Sequence, residues 1–471
     1  MKKNILNKKV VIIPIEIKVR ELIHKIYLTY SILKNTNFSV ILGGQRFLNN
    51  NYSYENCIYL DKNTNPVVRE KFPIYKKNSI IILDEEGPVS FFHPTMFKER
   101  YYFETLDHQV RNYFFFGKKD LKQFKSKKIR DKSLIVGNPK FDLLKKDYKN
   151  IFLKELNQIK KIYKKYVFIT GQAAIKSNNQ NKIEGISRYI IKENKKKLDK
   201  HIKIRKKNYS KKIENYLALL KLTKKLAKEN PKIKFIFRRH PLEEDKFINN
   251  FFKDKPKNLK LIYKYSVTPW IMSCDVHIHS GCLTAIESAI LKKKQITFMP
   301  NYDKSFSNFS KFKPFFKKED DCLKYFKNNN HFNKKKNLKS LKDIIVNSDE
   351  KTFSVNLISK FLNKNYGKMK YSGVYLKMEK HKLSFKIKKF VMKLGSNIKT
   401  TLNKIDFIYN IFALLSPKDL IITKELKEKK FKSLKKSEIL RYFKFFDKHF
   451  KLINKISIKK IDQSVYLITR N

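Results

Sequence analysis

Phe235-Ile236-Phe237-Arg238-Arg239-His240-Pro241, followed by His279-Ser280-Gly281-Cys282-Leu283-Thr284-Ala285-Ile286-Glu287, decides how this chain folds. The first segment is an apolar run ending in two guanidiniums and an imidazole, which a strand would present at its C-terminal end. In open α/β sheets that end borders the ligand crevice, and the helices that follow point their positive N-termini into it. The second segment has the same grammar. DVHIH is a short β-type run, SGCLT a tight turn of small residues with helix-start chemistry, AIESAIL a helix, and QITFMP a returning strand. Strand, glycine-containing turn, helix and strand make one βαβ unit whose turn offers backbone N–H groups to a phosphate. The stretch 235–300 therefore reads as a nucleotide-binding half-domain.

Working outward, 471 residues exceed the size at which a single core keeps growing, so two domains and an extension are expected. The boundaries fall at 1–149, 150–345 and 346–471. Hydrophobic residues make up 41% and aromatics 14%, enough to fill cores and to exclude disorder along the whole chain. The net charge of +65 would suit nucleic acid. Lysine and asparagine are spread over nearly every segment alongside isoleucine and phenylalanine, as a compositional bias would spread them. No zinc finger, RNP-type aromatic motif or helix-turn-helix accompanies them, so no specific nucleic-acid partner is expected. A basic surface favours anionic partners: nucleotides, acidic glycans or an anionic membrane face.

Cys57, Cys274, Cys282 and Cys322 form no CxxC pair, as expected of reduced cytoplasmic thiols. The opening MKKNILNKK leads into a brief apolar run ended by Glu16, Lys18 and Arg20, a first strand rather than a signal peptide. No apolar run reaches the roughly 18 residues that span a bilayer. The expectation is a cytoplasmic protein, soluble or peripheral to the inner face of the membrane.

In the first domain VVIIPI (10–15), FSVILGG (38–44), CIYL (57–60), SIIILDEEG (79–87) and SLIVG (133–137) read as strands. Residues 18–35 have helical spacing, and 97–124 reads as helical with an aromatic break at 113–116. YVFITG (166–171), FIFRRHP and LKLIY (259–263) are strands of the second domain, with a helix from about 213 to 229 and a loop or exposed helical insertion over 176–212. Such alternation implies parallel, Rossmann-like sheets. From 346 the chain reads as mostly helical and very basic. Its lysine–aromatic stretches, FKIKKFVMKLGSNIKTTL and ILRYFKFFDKHFKLI, suit a membrane surface or a solvated helix covering a core.

Asp84-Glu85-Glu86-Gly87 stands where a strand meets the crevice. Glycosyl transfer needs a carboxylate to take the acceptor's hydroxyl proton or to attack the anomeric carbon. Alternatively these acids cap the following turn. Arg239 and His240 suit a nucleotide phosphate, and the ordinary pKa of histidine suits protonation of a leaving group. Pro241 stiffens that turn, and Arg238 alternates to the other face as a surface charge. Ser280, Gly281, Cys282 and Thr284 form the candidate phosphate cradle, and Glu287 would reach a ribose hydroxyl or pair with a lysine. Arg20, Gly44, Gln45 and Arg46 follow the first two strands and border the same crevice, where guanidiniums suit a substrate carboxylate. His277 and His279 share a strand face without a nearby acid or cysteine pattern, so no metal is assigned. Gly137-Asn138-Pro139 with Phe141-Asp142 reads as a turn at the domain junction.

PIEIKVREL, GGQR, LDEEG, GNPKFDLL, FRRHP and HSGCLTAIE, in this order and spacing, resemble the bacterial surface carbohydrate biosynthesis protein family, whose members look like GT-B glycosyltransferases. The likeness covers residues 10–305. More distantly, the acidic pair with glycine, the HP motif and the serine-containing helix start are similar to those of bacterial sialyltransferases and capsule Kdo transferases. Those enzymes use CMP-activated 2-keto sugar acids and need no metal.

The resemblance implies a GT-B-like fold, two Rossmann-like domains facing a central crevice, with the C-terminal helices returning toward the first. It makes Glu86 the catalytic acid with Glu85 second, has His240 and Pro241 hold the CMP phosphate and ribose, and makes Ser280-Gly281 the phosphate-binding helix start. It further implies a surface-polysaccharide glycosyltransferase that takes a CMP-linked Kdo or nonulosonate and a glycan or lipid-linked acceptor, with no cofactor. The chain departs from the distant relatives in having Glu86, not Asp, before Gly87 and Gly281 after Ser280, not a second serine. Donor identity and stereochemical outcome stay open at this point. CDP-glycerol-type phosphotransferases and UDP-sugar 2-epimerases share the fold and are the alternatives; a basic RNA- or membrane-binding protein without catalysis is the third class.

Overall fold

In chain order the strands are β1 (Val10–Ile15), β2 (Ser39–Gly44), β3 (Tyr52–Glu55), β4 (Ile58–Asp61), β5 (Ser79–Leu83), β6 (Val110–Phe115), β7 (Ser133–Ile135) and β8 (Val167–Thr170). They continue with β9 (Phe235–Arg238), β10 (Leu259–Ile262), β11 (Val276–His279), β12 (Lys294–Phe298), β13 (Phe315–Phe316), β14 (Gly373–Leu376), β15 (Ile456–Asp462) and β16 (Val465–Arg470). This computed structural model describes residues 8–63, 74, 77–88, 109–124, 127–171, 195–240, 243, 245–303, 309–328, 341–376, 431–450 and 452–470.

The strands sort mainly into two sheets. The first has the order β15-β16-β2-β1-β4-β5-β6-β7, and its run from β2 to β7 is parallel. The second is wholly parallel, β10-β9-β8-β11-β12-β13. Renumbered within itself, the second sheet runs 3-2-1-4-5-6, the order in which dinucleotide-binding sheets open a crevice where the sequence of strands reverses. Here that point lies between β8 and β11, whose ends carry Gly171 and Ser280. The first sheet reverses between β1 and β4, at Glu16 and Lys62.

Parallel strands covered on both faces read as near-continuous apolar runs. β1 shows why: Val11, Ile13 and Ile15 enter one core with the helix Lys18–Asn35, while Val10 and Ile12 enter the opposite core. The two Rossmann-like lobes face each other across a crevice, the GT-B-like arrangement. Behind it Phe116, Phe141 and Leu144 pack with Ala285, Ile286 and Met299 in one apolar layer shared by both lobes.

The chain crosses back to the first lobe through an anchor built from GNPKFD. The Asp142 carboxylate accepts from the backbone N–H of Ser354 at 3.0 Å and Val355 at 3.1 Å, which satisfies the first turn of the helix Ser354–Tyr366. Asn347 donates to Asn138 O at 2.8 Å and to Asp142 at 2.7 Å. Gly137 has φ +76°, and a Cβ there would sit 2.0 Å from Asn347 Oδ1. Beyond the anchor, Val355, Ile358 and Leu362, then Ile439, Phe443 and Phe446 of the helix Lys436–Phe450, close over Tyr27 and Tyr30. Tyr27 and Phe446 stack at 4.6 Å.

Two expectations are corrected. Within 97–124, expected to be helical with an aromatic break at 113–116, Val110–Phe115 is a strand between β5 and β7, where sheet neighbours on both sides override the local spacing. Lys118–Leu121 of that stretch is helical as expected, and 97–108 lie outside the described residues. Within 176–212, read as a loop or an exposed helical insertion, residues from Lys195 onward are helical and continuous with the helix expected from 213, as Lys195–Glu229; 172–194 lie outside the described residues. The last stretch, expected to be helical, ends in the β15–β16 hairpin, and β16 pairs antiparallel with β2. FKIKKFVMKLGSNIKTTL lies outside the described residues, whereas the apolar face of Lys436–Phe450 covers the first lobe's core. Among the described residues no helix is long and apolar enough to cross a membrane.

Candidate functional site

The first lobe sends three strand ends to the crevice. Glu16 and Arg20 follow β1, Lys62 follows β4, and Asp84 to Gly87 follow β5. Asp84 is buried, and its Oδ1 accepts from the Glu86 N–H at 2.6 Å, shaping the turn. Glu85 is buried as well, 3.0 Å from His24 Nε2 and 3.8 Å from Lys25 Nζ, with Asn138 Nδ2 at 3.4 Å. Burial opposes its ionisation, but the charges of His24 and Lys25 outweigh that and hold its carboxyl at about 2. Glu86 is the acid of the three that reaches solvent, with 36% of its side chain exposed. Lys62 Nζ lies 3.2 Å from Glu86 Oε1 and also pairs with Glu16, and Arg20 Nη2 lies 3.9 Å from Glu86 Oε2. Burial works against the Lys62 and Arg20 charges, yet the neighbouring carboxylates, Glu86 foremost, push both pKa values up.

Of the GGQR segment, Gly44 lies in a packed seam. Gly44 N–H donates to Ser464 O at 3.3 Å, and a Cβ on it would lie 2.8 Å from the Phe431 ring. Gln45 is half-buried and Arg46 exposed at the start of the helix Gln45–Asn51 beside this seam.

In the second lobe the roles of the paired arginines are exchanged. Arg238, expected as a surface charge, is buried. Its register partner on β8 is Thr170, so it projects with Thr170 into the crevice end of the sheet. Its Nη2 donates to Tyr265 O at 2.6 Å, its guanidinium stands 5.5 Å from the Tyr263 ring centre, and its Nε has no partner. Burial pulls its pKa down to about 10, against the opposing pull of Tyr263 and Glu287. Arg239 instead pairs with Asp245.

Burial, reinforced by Arg20 and Lys212, pushes the His240 pKa down to about 3, which favours the neutral imidazole in the free protein. The His240 backbone N–H donates to Glu243 Oε2 at 3.2 Å, while Glu243 Oε1 takes the Tyr216 hydroxyl. Tyr216 packs against Gly171, where a Cβ would come within 2.2 Å of its ring. Pro241 lies outside the described residues.

At the SGCLT turn, Ser280 is fully buried and its Oγ has no partner. Gly281 takes φ +77° and donates its N–H to His279 Nδ1 at 3.2 Å. Cys282 Sγ meets Thr284 Oγ1 at 2.6 Å, Thr284 meets Thr170 Oγ1 at 2.9 Å, and Thr170 meets His277 Nε2 at 2.8 Å. His277 Nδ1 bonds Ser288 Oγ at 2.6 Å and His279 Nε2 bonds Gln295 at 3.1 Å; burial pushes both imidazoles down, His279 to about 4. Among the described residues no group of three or more His, Cys, Asp or Glu is placed to hold a metal. Glu287, with its ribose and lysine alternatives, takes the lysine: fully buried, it pairs with Lys140 of the first lobe at 2.5 Å and accepts from Thr268 Oγ1 at 2.9 Å.

The two motifs meet. A Cβ on Gly87, whose φ is +98°, would lie 2.1 Å from Leu283 Cδ2, so the glycine of LDEEG lets SGCLT close against it. Lys62, Lys212, Tyr216 and Glu243 belong to the site although sequence reading passed them over. Lys62 directly follows a strand end, the signal used for its neighbours; His24 and Lys25 sit inside a helix with nothing local to mark them.

No family model matches the sequence, and no curated protein is similar to it at a significant level. Among solved structures the chain is similar to the wall teichoic acid polymerase TagF, with 14% identity and a TM-score of 0.45 over 78% of this chain and 91% of that one. It is also similar to the UDP-GlcNAc 2-epimerase from Neisseria meningitidis bound to UDP-GlcNAc, with 12% identity and a TM-score of 0.47 over 76% of this chain and 100% of that one. The epimerase of Methanocaldococcus jannaschii in complex with UDP-GlcNAc and UDP gives 12% and 0.45 over the same shares.

Proposed function

We propose that the chain is a nucleotide-dependent transferase of surface-glycan assembly, with Glu86 as its base and the donor nucleotide held between Arg238, His240 and the Ser280 turn. The observation that carries this reading is the meeting of the two motifs: Gly87 of LDEEG closes against Leu283 of the SGCLT turn, and Lys140 of one lobe pairs with Glu287 of the other at 2.5 Å. The acceptor hydroxyl gives its proton to the Glu86 carboxylate, which Lys62 and Arg20 orient. The acceptor oxygen bonds to the donor's reacting centre as the bond to the nucleotide phosphate breaks, its electron pair leaving on the phosphate oxygen. Arg238 meets that negative charge, and neutral His240 contributes a ring N–H hydrogen bond instead of a proton.

For the donor we retain a CMP-linked acidic sugar, whose carboxylate Arg20 would take, with CDP-glycerol and UDP-sugars as the competing donors. The test is thermal-shift titration with CMP, CDP, UMP, UDP and GDP on the wild type and on His240→Ala. A CMP shift that the substitution removes supports the reading. A shift with CDP alone or with UDP alone moves the donor to the corresponding alternative, and no shift with any nucleotide overturns the proposal.

A further inference from the structure

The helix Lys195–Glu229 has 35 residues, roughly 52 Å of length, and its two parts are unlike. From Asn215 onward it is anchored, with Tyr216, Leu219, Leu220, Leu222 and Leu226 buried in the second lobe's core. Before that it is basic: ten of the eighteen residues from 195 to 212 are Lys or Arg against the single acid Asp199, far above the chain's 107 in 471. Within this part Lys196, Lys200, Lys203 and Lys207 are exposed. Their spacing of four, three and four residues puts them on one helix face, a stripe about 16 Å long. Like charges so spaced repel and weaken a helix, so the stripe costs stability that the buried half must offset.

The stripe leads toward the crevice. At its inner end Lys211 pairs with Asp303 at 2.7 Å, and further along the same helix Tyr216 donates to Glu243, which accepts from the His240 N–H at 3.2 Å. We propose that this stripe docks the acceptor, and that the acceptor is a linear polyanion, a glycan carrying phosphate or carboxylate groups along its length. A straight row of cations matches regularly spaced anions and gains by releasing their counterions. A membrane-lying helix would need an apolar face, but among the described residues the exposed large apolar side chains are Leu153, Ile162, Tyr371 and Leu376, none on this helix. The role as an acceptor site rests on the transferase reading; the anion binding does not.

The test compares the full chain with a variant carrying K196Q, K200Q, K203Q and K207Q. A control variant, K154Q, K160Q, K161Q and K165Q, removes the same charge from exposed positions elsewhere. Binding of fluorescent inorganic polyphosphate of defined length is followed by anisotropy between about 50 and 200 mM salt. The stripe variant should bind at least about 10-fold more weakly, with its log–log salt slope reduced by about 2 to 4, while the control stays near wild type. Equal weakening in both variants overturns the proposal. So does a stripe variant that keeps polyphosphate but loses phosphatidylglycerol vesicles or single-stranded RNA. The nucleotide thermal shift should survive in the stripe variant, and its loss there assigns the lysines to the donor site or the fold and also overturns the proposal. A wild type without any nucleotide shift whose polyphosphate binding still needs the stripe rejects the transferase reading and keeps the polyanion site.

Discussion

Across the crevice the two lobes treat buried charge in opposite ways. On the first lobe's wall Lys62 stands between Glu16 and Glu86, Lys25 between Glu21 and Glu85, and Arg20 beside Glu86. On the second lobe's wall Arg238 is buried against a carbonyl and a tyrosine ring with its Nε unanswered, and the Ser280 hydroxyl is buried with no partner at all. One wall has its counter-charges built in and so fixes the carboxylate proposed as the base. The other leaves Arg238 Nε and Ser280 Oγ without partners, as the proposed nucleotide site requires.

The largest test of this contrast sets two neighbouring acids against each other. Glu86→Gln should lower kcat by about 10²- to 10⁴-fold and leave the nucleotide thermal shift in place. Glu85→Gln should instead cost about 1–3 kcal/mol of folding stability in urea titrations, because the buried His24 and Asn138 lose their carboxylate partner. Equal behaviour of the two variants would erase the distinction between a working acid and a structural one.

On the opposite wall, Arg238→Met should raise the nucleotide Kd by roughly 10- to 100-fold without lowering the melting temperature of the free protein. A destabilised variant with unchanged affinity would show that Arg238 is a structural cation after all. Where the walls touch, Gly87→Ala should cost about 1–3 kcal/mol through strain at a positive φ and contact with Leu283. Adding Leu283→Ala should return part of the loss, and no recovery would locate the cost in the backbone alone.

The smallest effect is one of pH. Burial raises the Glu243 carboxyl from its ordinary 4.5 to about 7, so the folded protein holds that proton more tightly than the unfolded chain. Its contribution is full below about 4.5 and is lost as pH rises through about 7. Glu85, held at about 2, does the reverse and loses its contribution as pH falls from 4.5 toward 2. Glu243→Gln should therefore flatten the stability profile between pH 4.5 and 7 relative to wild type, and an unchanged slope would mean that Glu243 is ionised in the folded state.

Much of this architecture is legible in the sequence because parallel strands enclosed on both faces read as near-continuous apolar runs, as VVIIPI and the FIF of FIFR illustrate. Strand ends then point to Glu86, His240 and Ser280 without any knowledge of packing. Alternation tells that Arg238 and Arg239 face opposite ways, but not which way the crevice lies. That depends on β9 standing beside β8, a long-range choice. VRNYFF lies in a stretch read as helical with a break at its aromatics, and its strand exists because β5 and β7 flank it. The pairing of β16 with β2 joins residues too far apart for any local pattern to announce.

That last pairing bears on the order of synthesis. The second lobe closes its sheet from residues between Val167 and Phe316, a contiguous stretch of chain. The first lobe begins earlier but must wait for Ile468 to reach Val40 and for Phe446 to cover Tyr27. At a translation rate of about 5–20 residues per second, those partners emerge roughly 20 to 80 s after the strands they join. The lobe that is made first is thus the lobe that finishes folding last, and throughout elongation it exposes an unpaired strand edge and an uncovered aromatic face that a chaperone would recognise.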